Sequence, residues 1–257
     1  MQHARRRCDG GLPWDVPFAS LVLRTSTAIL ANLMAVIPKP APFLGILMLH
    51  TRFPRPPGDI GHPASFAMPV RWRVVPGASP QRVVRERAAG LLAPFVAAAH
   101  ALVDEGAGAI STGCGFLALF QAELQAALPV PVWSSALLHL GGLEAAGVVT
   151  ADAAALSADH LRAVGADPST PIEGLAPGCA FQRTLLQDLA MLDEADALAQ
   201  TVAAALRLQA REPDLQHIVL ECTNLPRYAD AVRQATGLPV HDILSLLHRR
   251  WFELQPR

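Results

Sequence analysis

One segment of this 257-residue chain occurs twice, and the recurrence restricts the fold more than any other feature. Ala107 to Thr112 reads as an apolar strand that ends at Gly113 and is followed by Cys114. A helical stretch comes next, and Pro131-Val132 opens another strand 17 residues after the cysteine. His217 to Glu221 again reads as a strand, followed by Cys222, a helix from Tyr228 to Thr236, and Pro239-Val240 at the same distance of 17 residues. The two cysteines stand 108 residues apart in equivalent slots. A shared strand, cysteine, helix, spacing and Pro-Val indicates a duplicated α/β unit with one cysteine per copy.

The intervening pattern fits this reading. Leu44 to Leu49 is a short apolar run, most simply a buried strand, and a proline- and glycine-rich loop follows from Pro54 to Pro63. Val70 to Val75 predicts a second strand, and residues 80–105 predict a helix that Pro94 kinks or breaks. Phe116 to Leu128 has helical spacing. In the second half, strands at Gly147–Thr150 and around Ile172 alternate with a helix from Ser157, a plausible N-cap, to Val164 and a long one from Phe181 to Ala210. Strands alternating with helices predict an α/β fold with mainly parallel sheets, here two lobes related by an approximate internal twofold repeat. The predicted division is an N-terminal extension over 1–41, a first lobe from 42–138 plus 240–257, and a second lobe from 139–239.

Composition removes several chemistries. Lysine and arginine total 21 against 22 acidic residues, a balance that argues against a nucleic-acid partner. Lys39 is the only lysine, in Ile37-Pro38-Lys39-Pro40 ahead of the apparent core, a poor place for the covalent anchor of a pyridoxal-phosphate or Schiff-base enzyme. Gly-Lys-Ser/Thr and Gly-x-Ser-x-Gly are absent, which excludes a P-loop and weakens a serine-hydrolase reading. Four cysteines, Cys8, Cys114, Cys179 and Cys222, make neither a disulfide framework nor a zinc signature, so no metal is expected and a reduced cytoplasmic compartment is the default. Arg5-Arg6-Arg7 before the apolar run Phe18–Ile37 resembles a secretory signal, but Arg24 interrupts the run. An extension or docking helix is the expectation there, with a signal as the minority reading and no membrane span.

The repeated cysteines carry the chemistry. Ligands bind at the carboxyl ends of parallel strands, where both are predicted, and a helix N-terminus lowers a thiol pKa by favouring the thiolate. Two lobes facing each other bring two thiols to opposite sides of one substrate. One thiolate removes a proton from carbon and the other thiol delivers one from the opposite face, which is stereoinversion. Cys8 and Cys179 lack repeat partners and read as small buried hydrophobes. Around the pair, Thr112, Thr223 and Asn224 are polar, and Gly113 and Gly115 leave backbone N–H groups open to an anion.

Ser111-Thr112-Gly113-Cys114-Gly115-Phe116 and Leu220-Glu221-Cys222-Thr223-Asn224-Leu225-Pro226 resemble the two cysteine motifs of the aspartate/glutamate racemase superfamily. That superfamily includes amino-acid and hydantoin racemases, maleate isomerases and arylmalonate decarboxylases. Leu47 to Asp59 resembles a little-characterised branch of it. The resemblance spans roughly residues 43–250. It implies two Rossmann-like lobes with the substrate between them, Cys114 and Cys222 as the catalytic acid/base pair, and no cofactor. It also implies Thr223 and Asn224 as contacts to a substrate carboxylate, a C-terminal segment that returns to the first lobe, and a homodimer as the family expectation. Thr112, Gly113, Gly115, Ser134 and Ser135 complete the expected substrate-binding set, with His50 at the end of the first strand and Asp59, beside His62, in a loop that could cover the site. Racemases for glutamate and aspartate follow the first cysteine with Asn-Thr. Gly115-Phe116 stands there in this chain, which points to a bulkier or less polar acid.

The leading expectation is a cofactor-independent racemase or epimerase of a small carboxylate such as an amino acid, hence an isomerase. Alternatives are a maleate-type cis-trans isomerase and a racemase-like binding protein without activity. A nucleotide-binding module is a further alternative, because Gly113-Cys114-Gly115-Phe116-Leu117-Ala118 formally matches Gly-x-Gly-x-x-Ala. No acidic residue ends the next strand to hold a ribose.

Overall fold

The computed structural model describes residues 41–254. The extension read over 1–41 lies, but for its last residue, outside them. Within these residues eight strands form two four-stranded sheets. The first contains β1 (Phe43–Met48), β2 (Val70–Val74), β3 (Ala107–Thr112) and β4 (Val132–Trp133) in the order β2-β1-β3-β4. The second contains β5 (Ala146–Thr150), β6 (Ile172–Gly174), β7 (His217–Leu220) and β8 (Val240–His241) in the order β6-β5-β7-β8. Every pairing is parallel. Each half therefore has the same strand order, and the α/β class with duplicated lobes holds.

The repeat extends to register. Ile110 pairs with Val132 and Ser111 with Trp133 in the first sheet, while Ile218 pairs with Val240 and Val219 with His241 in the second. Pro131 and Pro239 have the same role: each sits just before its strand, where its missing N–H costs nothing, and each carbonyl accepts the first ladder bond, from Ile110 N–H at 2.9 Å and Ile218 N–H at 3.0 Å.

Among the described residues six α-helices lie between strands, α1 (Leu92–Asp104), α2 (Gln121–Ala127), α3 (Ala158–Ala163), α4 (Ala180–Leu186), α5 (Glu194–Arg211) and α6 (Ala229–Thr236), and α7 (Ile243–Leu254) follows the last strand. Two expectations change. The helix read over 80–105 is a widened turn at Gln81–Arg85 followed by α1, and Pro94 lies in the first turn of α1, where an N–H has no intrahelical acceptor. The long helix read over 181–210 is split into α4 and α5. Asp188 takes a left-handed conformation (φ 54°), and Asp193 caps α5 by accepting from the Asp196 N–H at 3.0 Å.

One apolar core runs beneath the first sheet and takes in Val148, Leu161 and Val219 of the second half, together with Ile243, Leu246, Leu247 and Trp251 of α7. A second core, built from Phe181, Leu185, Leu208, Ile218 and Leu220, also contains Phe53 from the first half. The strand before α7, β8, pairs with β7 in the second sheet, and α7 contributes to the first core. Among the described residues no helix is long and apolar enough to cross a membrane.

Candidate active site

Both repeated cysteines stand two residues beyond a strand's carboxyl end, Cys114 after β3 and Cys222 after β7. Cys114 is in extended conformation (φ −153°, ψ 122°) and leads into the 3₁₀ helix Gly115–Phe120. The two half-buried thiols line one small pocket. Gly113, Gly115, Thr223 and Asn224 border it with them. Leu49, Phe53, Phe116 and Leu185 make its wall apolar, and Arg55 is the cation on its lining.

The pocket holds its polar groups tightly. Asp59 is buried and accepts from Arg55 Nη1 at 2.9 Å, from the Gly61 N–H at 2.6 Å and from Asn224 Nδ2. Arg55 also donates to Thr51 Oγ1 at 3.1 Å and lies 4.7 Å from the centroid of the Phe53 ring. Thr223 Oγ1 donates to the Gly113 carbonyl at 2.8 Å, tying the two cysteine motifs together. The Cys222 thiol donates to Asn224 Oδ1 at 3.4 Å. The proline- and glycine-rich loop is docked on the second motif: Arg227 Nη1 donates to the Pro57 carbonyl at 2.9 Å, and Gly58 (φ 93°) leaves no space for a Cβ against the Arg227 backbone.

Other expected residues serve the scaffold. Thr112 Oγ1 donates to the carbonyls of Ser134 and Cys114, at 2.6 and 2.9 Å. Ser134 Oγ donates to Gln121 Oε1 at 2.7 Å, and Ser135 Oγ accepts from the Leu137 N–H at 3.2 Å. All three are buried and none lines the pocket. His50 is exposed and also off the lining, and His62 caps a short 3₁₀ turn by accepting from the Ala64 N–H at 3.1 Å. Asp59 is not on the wall with the thiols, but it organises Arg55 and Asn224, which are.

Sequence reasoning missed Arg55 and Glu221. Arg55 was hidden in a loop without periodicity. Glu221 was visible only as a letter of the second motif, yet it is fully buried. Its Oε2 accepts from Thr150 Oγ1 at 2.6 Å, and its Oε1 has no hydrogen-bond partner. The carboxyl fills the space where Gly115 would carry a side chain, which is why glycine follows Cys114. A phosphate cradle at Gly113–Gly115 would need that space free, so the nucleotide-binding alternative has no support here.

The expectation of acidified thiols is reversed. Burial and then the Glu221 carboxylate push Cys114 up to about 12, against a smaller opposing pull from the Phe116 N–H and Arg55. Burial and Glu221 likewise raise Cys222 well above the usual thiol range, opposed by the Asn224 N–H. A 3₁₀ turn offers little dipole to offset that desolvation. Burial raises Glu221 itself to about 7, partly opposed by Thr150.

No family model matches the chain. It is 30% identical over 217 residues to a dimethylsulfoniopropionate lyase from Durusdinium sp. clade D, covering 78% of this chain and 71% of that protein. It is 31% identical over 228 residues to dimethylsulfoniopropionate lyase 6 of Emiliania huxleyi (strain CCMP1516), covering 79% of this chain but 57% of that longer relative. Among solved structures, an arylmalonate decarboxylase superposes with TM-score 0.54 at 19% identity, covering 83% of this chain and 92% of the other. Allantoin racemase from Pseudomonas fluorescens superposes with TM-score 0.52 at 17% identity, covering 82% and 90%. These superpositions establish a racemase-type fold, as the cysteine motifs implied, while sequence identity sets the nearer kinship: the chain belongs to the family of the Durusdinium dimethylsulfoniopropionate lyase.

Proposed function

We propose that this protein is a carbon–sulfur lyase acting on a small β-sulfonio carboxylate of the dimethylsulfoniopropionate kind, with a pocket cysteine as the base. The observation that carries the reading is the placement of two thiols and one arginine on the wall of a single small, largely apolar pocket. A thiolate removes the proton α to the carboxylate. The C–H bonding pair becomes the new carbon–carbon double bond, and the pair of the β-carbon–sulfur bond leaves with sulfur. The products are a neutral thioether, an acrylate and a protonated thiol that returns its proton to solvent. The first step is the one a racemase performs, so fold and family name converge on α-proton abstraction.

Arg55 is the carboxylate anchor in this reading. Of the groups expected in that role, the Thr223 hydroxyl gives its one proton to the Gly113 carbonyl, and Asn224 Nδ2 gives one of its two to Asp59. Arg55 uses part of its five-donor fork on Asp59 and Thr51. Its charge also stabilises the carbanionic character that develops beside the carboxylate.

A second reading, racemisation or epimerisation of a related carboxylate, is favoured by the retention of both thiols, since elimination needs a base on one face only. Headspace measurement of dimethyl sulfide from dimethylsulfoniopropionate, run beside deuterium incorporation at Cα of amino and hydroxy acids in deuterium oxide, separates the two. Thioether release without wash-in on the other acids supports the lyase. Wash-in without thioether supports the racemase, and neither signal would leave a binding protein and sink both enzymatic readings.

A further inference from the structure

Glu221 has no part in either reaction scheme, yet it lies between the two cysteine motifs. It precedes Cys222 in the chain, and its carboxyl is wedged against Gly115, the residue after Cys114. It is wholly buried, with Thr150 Oγ1 on one oxygen and nothing on the other. The influences on its ionisation are burial and that single hydroxyl, with no cation among them. A carboxylate in such a place is expensive, and it also opposes charge on both neighbouring sulfurs. The other charged groups acting on the thiols are Arg55, which favours a Cys114 thiolate, and Asp59 and Cys114, which oppose one at Cys222.

We propose that Glu221 is a proton-holding positioning residue that shares a single negative charge with the two pocket thiols, so that a thiolate forms only when the Glu221 carboxyl carries the proton. The exchange balances simply: the sulfur keeps the bonding pair of its S–H, and the carboxylate gains the proton. The two arrangements, thiol with carboxylate and thiolate with carboxylic acid, carry the same net charge, so their ratio does not depend on pH. Thiolate therefore accumulates with rising pH only until the shared charge is present, and then levels off. The proposal rests on the thiol-base part of the reading above and on no particular substrate.

The test needs no substrate. Iodoacetamide alkylation of Cys114 and Cys222 is followed by peptide mass spectrometry from pH 6 to pH 9, with Cys179 as internal control. In the wild type both rates should climb about tenfold per pH unit and flatten near pH 7. In Glu221→Gln they should match the wild type at pH 6 and keep climbing, reaching at least about tenfold above it at pH 9, with Cys179 unchanged. Thr150→Val, which removes the hydrogen bond that steadies the carboxylate, should move the break to higher pH. Glu221→Gln profiles that overlay the wild type would overturn the proposal. If that variant fails to fold, an unmoved break in Thr150→Val overturns it instead. Thioether release plays no part in these readouts, so a wrong substrate and a wrong role for Glu221 are told apart.

Discussion

At the residue scale, the equivalence of Cys114 and Cys222 in the fold does not require equivalence in the reaction. Elimination uses one base, so alanine at that position should lower kcat/KM by about 10² to 10⁴-fold, while alanine at the other should cost less than about tenfold. Racemisation uses both, and both variants should then fall together. Steady-state kinetics on the two single variants decides between these outcomes. Gly115 makes a separate demand. A methyl group there overlaps the Glu221 carboxyl and carbonyl, so Gly115→Ala should lose roughly 1–3 kcal/mol by overpacking, read as a lower urea midpoint with an unchanged slope. An unaltered midpoint would mean that Glu221 can move aside. Arg55→Gln should raise KM by about tenfold or more and lower kcat as well, because Arg55 both anchors the carboxylate and stabilises the charge that develops beside it in the transition state.

At the element scale, the break between α4 and α5 has a use. Asp188, in the turn between them, accepts from the backbone N–H groups of Arg52 at 2.6 Å and Phe53 at 3.3 Å, and from the Arg52 guanidinium at 3.2 Å. The turn thereby fixes the segment that presents Phe53 and Arg55 to the pocket. The ion pair is exposed on the arginine side and adds little by itself. Asp188→Ala should therefore leave Tm nearly unchanged and raise KM several-fold, and a large loss of Tm without a KM effect would refute this division of roles. The break was illegible in the sequence because residues 181–210 are rich in alanine and leucine, strong helix formers whatever lies beyond the helix, and a left-handed Asp188 becomes favourable only when Arg52 and Phe53 supply donors from far away in the chain. The strand–cysteine–helix–Pro-Val units were legible because their constraints are local: apolar runs, a strand end, and a proline where no N–H is needed. Arg55, Asp59 and the scaffold roles of Thr112, Ser134 and Ser135 depend on which loops meet, and residue type alone does not carry that.

At the scale of the whole molecule, stability should follow a pH profile set by buried groups of opposite sign. His160 is fully buried and His139 nearly so, and burial holds each near 4 against the usual 6.5. Between pH 6.5 and 4 the unfolded chain takes up these two protons and the folded protein does not. Their contribution is therefore complete above 6.5 and lost on acidification, at most about 3 kcal/mol for each histidine. Glu221 works in the other direction. Its carboxyl holds a proton up to about 7 in the folded protein but only to 4.5 when unfolded, so stability falls as pH rises through that interval, and the raised Asp242 adds a smaller loss of the same sign. Two histidine protons outweigh one glutamate proton, and Tm should rise from pH 4.5 to 6.5 in the wild type. Glu221→Gln should steepen the rise. Replacing both His139 and His160 by glutamine should flatten or reverse it, because the carboxyl contributions are then opposed only by the lowered His241. Because the first core draws side chains from both sheets and from α7, the lobes should unfold in one transition, so each variant's Tm reports on the molecule as a unit. Calorimetric scans of the three proteins across pH 4.5–7 test the account, and a double-histidine variant whose Tm still climbs with pH would show that other groups govern acid stability.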